Sequence, residues 1–140
     1  MALALYSNAI LRLATSLVHD DRLEHAAASA DVRAPLCGSR ISADIALDQT
    51  GILQRIALRA NACALGQASA AIMLKYATGN SRQSIQHRRD ALSDFLQGGS
   101  AGNLDWPELN EFAIARDYPA RHGAILLPYD AVLAAFEKVA

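Results

Sequence analysis

The feature that most constrains this fold is a change of hydrophobic period on either side of Cys63. In the segment 40–47, apolar and more polar residues alternate, as expected of a strand with one buried face. The turn 48–51 leads into 52–59, and together they predict a β-hairpin. The second strand is predicted to bury Ile52, Ile56 and Leu58. In 64–77, apolar residues instead recur every three or four positions, which predicts a helix.

Further helices are predicted on both sides of this hairpin. The N-terminal segment up to residue 17 carries one apolar stripe, and the end of 26–32 is read as another strand. Asn80 with Gln83 is predicted to cap a third helix, and Asp105 with Glu108 to form the capping box of a fourth. The last helix is predicted to be interrupted at a proline, Pro128.

The order of these elements predicts an α+β fold. A helix, a short sheet and several more helices fit a small antiparallel β-sheet covered on one face by helices. The length of 140 residues is typical of one domain, here 1–140.

Composition excludes two classes of protein. The net charge is −1, with no block of like charges, which argues against a nucleic-acid binder. The basic run 82–89 is read as a solvated helix face. No stretch reaches the roughly 18 apolar residues of a membrane span. The apolar start, 1–18, lacks the basic region of a signal peptide, so a cytoplasmic protein is predicted.

The chain has two cysteines, Cys37 and Cys63, too few for a disulfide scaffold. Cys37 precedes the first strand of the hairpin and Cys63 follows the second, so both loops are expected at one edge of the sheet. Two thiols there are candidates for binding a soft metal or sulfur. The alternative is two buried structural thiols.

Four parts of the sequence together resemble one family. They are Pro35-Leu36-Cys37-Gly38, Ala62-Cys63-Ala64 with Ala68-Ser69-Ala70, the opening Leu5–Ile10, and Tyr118–Arg121 with Leu127–Val132. This pattern resembles the NifU/IscU/SufU-type iron–sulfur cluster scaffold family. The segment 79–119 is similar to the insertion that marks the SufU branch.

The resemblance implies a site of three cysteines and one aspartate. Cys37 and Cys63 match the first two cysteines, whereas Ser39 stands at the aspartate position and Ala124 at the third cysteine. A serine hydroxyl is neutral and a poor ligand, and alanine has no donor atom. Zinc or a cluster iron requires four donors, so the coordination of either is predicted to be incomplete.

Two neighbouring residues are candidate auxiliaries. His122 is the best local candidate for a further ligand, and its alternative is an exposed side chain near the rim of the pocket. Arg121 matches a basic residue of the family's third motif, where it would keep the pocket positive. Its alternative is an ordinary surface arginine.

No hydrolytic or phosphate-binding motif is visible, so a non-enzyme is predicted. The resemblance implies an iron–sulfur cluster assembly scaffold or accessory protein whose partners are a cysteine desulfurase or other assembly proteins. A partner or a second protomer in a homodimer would complete the coordination. The alternatives are a degenerate homologue that docks a protein without metal, and a thiol switch between Cys37 and Cys63.

Overall fold

The computed structural model describes residues 6–17, 22–36, 38–99 and 104–139, so Cys37 lies outside the described residues. A three-stranded antiparallel sheet in the order β1-β2-β3 forms its centre. The strands are β1 (Ala28–Arg33), β2 (Arg40–Leu47) and β3 (Leu53–Asn61). The helices are α1 (Asn8–Ser16), α2 (Ala64–Tyr76), α3 (Arg82–Leu96) and α4 (His122–Glu137), with 3₁₀ helices at Pro107–Ala115 and Pro119–Arg121.

The helices cover one face of the sheet. α4 packs against β1 and β2, α2 packs against β3, and α1 and α3 pack on α2 and α4 respectively. The covered face is apolar, and Ile41, Ala43 and Ile45 of β2 are fully buried in it. The predicted α+β class and one-sided covering are therefore confirmed. Within the described residues, no helix has the length and apolar character needed to cross a membrane.

The second hairpin strand differs from the prediction at its start. Ala46 pairs with Arg55 but Leu47 pairs with Leu53, so Gln54 is an extra residue in a β-bulge. The bulge turns Leu53, rather than Ile52, into the core, where it is 1% exposed. Ile52 precedes the strand and is only half-buried, so its predicted place in the core is wrong.

Two of the predicted helix starts are also wrong. The N-cap of α3 is Ser81, whose hydroxyl accepts a hydrogen bond from the Ser84 amide. The Asn80 amide group instead donates to carbonyls at the end of α2. Asp105 and Glu108 form no capping box, because the carboxylate of Glu108 accepts hydrogen bonds from Lys75 and Tyr76.

α4 continues through its proline. Pro128 lies inside the helix, so the predicted interruption is wrong. Because proline has no N–H, it cannot donate to the carbonyl of Ala124, the residue four positions earlier. That carbonyl faces α2, 3.4 Å from where a β-carbon on Gly66 would lie.

Candidate functional site

Backbone hydrogen bonds join the residues on either side of Cys37. The Ala34 amide donates to the Ser39 carbonyl at 2.8 Å, and the Gly38 amide donates to the Ala34 carbonyl at 2.9 Å. Gly38 has a φ of +72°, a left-handed conformation that glycine adopts without strain. Ser39 is 4% exposed, which places the residue at the family's aspartate position inside the protein.

Cys63 lies where β3 passes into α2. It is the N-cap residue of α2, it is half-buried, and its side chain makes no capping hydrogen bond. Its carbonyl accepts a hydrogen bond from the Gln67 amide at 2.9 Å. The pairing of β2 with β3 ends at Arg40 opposite Asn61. Ser39 directly precedes Arg40 and Cys63 lies two residues after Asn61, so both lie at the same end of the sheet.

The first turn of α4 closes the third side of this site. A β-carbon on Gly66 would lie 3.6 Å from the β-carbon of Ala124, and one on Gly123 would lie 3.6 Å from the β-carbon of Ala34. Ala124 is fully buried. The start of α4 therefore contacts both the first turn of α2 and the base of the Cys37 loop.

These contacts bring three of the predicted site positions together. Cys63, Ser39 and Ala124 lie at one end of the sheet, around the loop on which Cys37 is found. The position of the Cys37 thiol itself lies outside the described residues. The close approach depends on Gly66, a residue that carries no ligand atom. The run of small residues at the start of α2 is the only signal of it in the sequence.

The two auxiliary candidates stand at the entrance to α4. The Nε2 atom of His122 lies 2.8 Å from the carbonyl oxygen of Ala115. A carbonyl only accepts, so Nε2 carries the proton and Nδ1 is left as the nitrogen that could bind a metal. Arg121 is half-buried at the end of the 3₁₀ helix Pro119–Arg121.

The described residues alone do not form a metal centre. Within the described residues, no group of three or more His, Cys, Asp or Glu side chains is placed to hold a metal ion. A buried serine and a buried alanine stand where the resemblance places two ligands. The described residues offer one half-buried thiol beside a glycine-containing loop, where a strand meets two helices.

Comparison with solved structures identifies relatives over nearly the whole chain. A nitrogen-fixing NifU-like protein (N-terminal) from Brucella abortus is 31% identical, with a TM-score of 0.88, covering 97% of this chain and 94% of that one. A Fervidobacterium islandicum protein described as an iron–sulfur cluster assembly scaffold for the SUF system is 20% identical, with a TM-score of 0.85, covering 97% and 99%. A hypothetical protein, 23% identical with a TM-score of 0.78, covers 96% and 98% and shares the fold. No family model and no curated protein matches the chain.

The sheet, the helix layer and the thiol at the strand–helix junction define a protein of the iron–sulfur scaffold fold. At 31% identity over almost the full length of both chains, this chain belongs to the NifU-like (NifU/IscU/SufU) family. The predicted family is thereby confirmed. The Fervidobacterium relative is described as a scaffold protein, and its likeness to this chain shows the shared fold.

Proposed function

We propose that this chain is an iron–sulfur cluster assembly scaffold or accessory protein that accepts sulfur or iron at Cys37 and Cys63. The observation that carries the proposal is the convergence of the Cys37 loop, the start of α2 and the start of α4 at one end of the sheet. That convergence occurs in a fold shared with a described cluster assembly scaffold. The proposal takes residues 1–140 as one domain that acts in the cytoplasm.

The proposal requires ligands from outside the chain. Ser39 offers a neutral hydroxyl and Ala124 a methyl group, so the residues present do not fit a complete four-donor site for zinc or a cluster. A cysteine desulfurase, another assembly protein or a second protomer would supply the missing donors. His122 could add its Nδ1 atom, and Arg121 would add positive charge near the thiols.

Anaerobic reconstitution tests the proposal. The protein is incubated with ferrous iron, cysteine, a cysteine desulfurase and dithiothreitol, which reduces the transferred sulfur to sulfide, then desalted and assayed for iron, acid-labile sulfide and visible absorption. The wild type should retain iron and sulfide, whereas Cys37→Ala and Cys63→Ala should each lose most of both. Ser16→Ala, which removes an exposed hydroxyl on α1, is the control and should behave as the wild type. Equal retention by the Cys37→Ala/Cys63→Ala double variant would contradict the proposal.

A metal-free docking module is the second candidate. It is favoured by the buried Ser39 and Ala124, which leave the described part of the site poor in donors. In that case a desulfurase should bind the wild type and the double cysteine variant with equal affinity, and neither should retain iron. Intact mass measured before and after reduction separates the third alternative, because a thiol switch between the two cysteines changes the mass by two hydrogens.

A further inference from the structure

The sheet face turned away from the helices is polar, and its charges are unusual. This open sheet face is formed by every second residue of each strand. Its members are Ser29, Asp31 and Arg33 of β1, Arg40, Ser42, Asp44 and Ala46 of β2, and Arg55, Ala57, Arg59 and Asn61 of β3. At the end next to the Cys37 loop, Arg33 and Arg40 are direct cross-strand partners. Like charges directly opposite each other destabilise an antiparallel sheet, so this pair has a cost in stability.

More cations surround this pair. Arg22, Arg40, Arg59 and Lys138 line a shallow cleft of about 250 Å³ on the same face. The cleft also contains Asp31, and Asp44 lies buried beneath it. With Arg33 and Arg55, six cations therefore meet two carboxylates among the described residues of this face, in a chain whose net charge is −1.

The two carboxylates are already engaged. Both oxygens of Asp44 accept hydrogen bonds from Arg59, at 3.2 and 3.3 Å, and Arg22 lies 3.6 Å away. Asp31 accepts a hydrogen bond from Ser42 and lies 3.8 Å from Arg40. The side chain of Arg40 is 49% exposed and that of Arg22 is 70% exposed. Arg33 and Lys138 are exposed and have no ion-pair partner within the described ranges.

We propose that the open sheet face is a docking surface for an acidic segment of a protein partner. Three strands spaced about 4.8 Å apart present a strip about 10 Å wide, which matches the width of one helix. The exposed carboxylate of Asp31 and the polar Ser42 and Asn61 suit a segment with mixed polar and acidic side chains. A continuous polyphosphate would be repelled by Asp31. A partner seated on this strip lies beside the Cys37 loop, because Arg33 and Arg40 flank that loop on both sides.

This surface goes beyond the proposed cluster function and does not depend on a cluster being bound. The test uses the full chain without metal and a fluorescently labelled, glutamate-rich helical peptide as the probe. Fluorescence anisotropy measures its affinity for the wild type and for Arg33→Gln/Arg40→Gln. Arg12→Gln/Arg82→Gln is the matched control, since it removes two exposed cations outside this face. Arg59 and Arg22 are left unchanged so that buried Asp44 keeps its partners.

The affinity of Arg33→Gln/Arg40→Gln should be about two- to thirtyfold weaker than that of the wild type, as expected for two exposed charge contacts. The control should bind as the wild type does, and binding should weaken as salt is added. Thermal unfolding should show that the test variant is about as stable as the wild type, because the loss of a like-charge pair offsets the loss of the exposed Arg40–Asp31 ion pair. The Cys37→Ala/Cys63→Ala variant should bind the peptide normally, whatever its iron content.

Three results would overturn the proposal. The first is an equal loss of affinity in the test and control variants, which would indicate a non-specific charge effect. The second is tighter binding of a single-stranded oligonucleotide of matched charge at the same arginines. The third is displacement of the peptide by inorganic phosphate at a concentration equal to that of the peptide, which would indicate a small-anion site.

Discussion

The hydroxyl of Ser69 donates a hydrogen bond of 2.6 Å to the carbonyl oxygen of Ile125, in the buried contact between α2 and α4. Ser69 is fully buried and lies on α2, the helix that Cys63 caps, while Ile125 directly follows Ala124. The bond therefore fixes the two helix starts that form the candidate site. The geometry of the candidate site therefore depends on packing in the core.

Replacing Ser69 by alanine should weaken this contact. The variant loses a buried hydrogen bond, so its free energy of unfolding should fall by about 1 kcal/mol. Chemical denaturation measures the change. Ser16→Ala removes an exposed hydroxyl bonded within α1 and should change the stability by less than about 0.5 kcal/mol. An equal effect of the two substitutions would mean that the buried hydrogen bond between α2 and α4 stabilises the fold no more than the exposed one within α1.

Gly66→Ala should lower the free energy of unfolding, whereas Gly123→Ala should not. A β-carbon on Gly66 would lie 2.8 Å from the β-carbon of Ala62, too close for a normal contact. Gly66→Ala should therefore lower the free energy of unfolding by about 1–3 kcal/mol before any gain in helix propensity. On Gly123 the nearest atom would be 3.6 Å away, an ordinary contact, so Gly123→Ala should be neutral or stabilising by up to about 1 kcal/mol. Thermal denaturation of both variants checks the prediction, and stabilisation by Gly66→Ala would contradict the close packing.

Asp44 should make stability depend on pH. Burial raises the pKa of Asp44, but hydrogen bonds from Arg59, Ser29 and the Leu23 amide outweigh that effect, so its pKa lies below the ordinary value. A lowered folded-state pKa means that the stabilisation is present above the unfolded pKa of about 3.9 and is lost as the pH falls through the folded value. Asp44→Asn should lower the free energy of unfolding at pH 7 by about 2–3 kcal/mol.

The check on Asp44 is denaturation between neutral and acidic pH. Below about pH 5 the free energy of unfolding of the wild type should fall more steeply than that of Asp44→Asn. Asp94→Asn, at an exposed position on α3, should follow the wild type. Parallel pH profiles for the wild type and Asp44→Asn would show that this carboxyl has the same pKa in both states.

Restoring the absent ligands should increase metal retention. In the reconstitution described above, Ser39→Asp/Ala124→Cys should retain more iron per chain than the wild type, because four donors would then surround the site. Ser39→Asp/Ala91→Cys places the new thiol on α3, away from the site, and should retain less iron than Ser39→Asp/Ala124→Cys. Because Ser39 is buried, replacing it with aspartate can impair folding. Ala124→Cys alone avoids that substitution and should also raise iron retention. If the α3 thiol were as effective, the assignment of Ala124 to a ligand position would be wrong.

Periodicity predicted the helix–sheet–helix order well because each apolar stripe is local. It failed where the deciding contact comes from elsewhere in the chain. Gln54 forms a bulge because of how β3 pairs with β2, and this places Leu53 in the core. Glu108 does not form the predicted capping box because Lys75 and Tyr76 on α2 donate hydrogen bonds to its carboxylate.

The candidate site was likewise predicted only in part from the sequence. The sequence alone located Cys63 at the start of a helix and identified Ser39 and Ala124 as residues without strong donor atoms. Only the tertiary structure decided that Ala124 packs against Gly66, because that depends on the contact between α2 and α4. The burial of Ser39 was likewise visible only in the fold.

The sequence did not reveal the cluster of cations on the open sheet face, because that cluster also depends on contacts between distant parts of the chain. Its cations come from five separate parts of the chain and form no run of like charge. Strand pairing brings Arg33 opposite Arg40, and the end of α4 adds Lys138. The sequence by itself determined which segments form strands and helices, since that depends on the spacing of apolar residues. The fold decided which charges and small residues meet, since that depends on register and on how closely the helices approach.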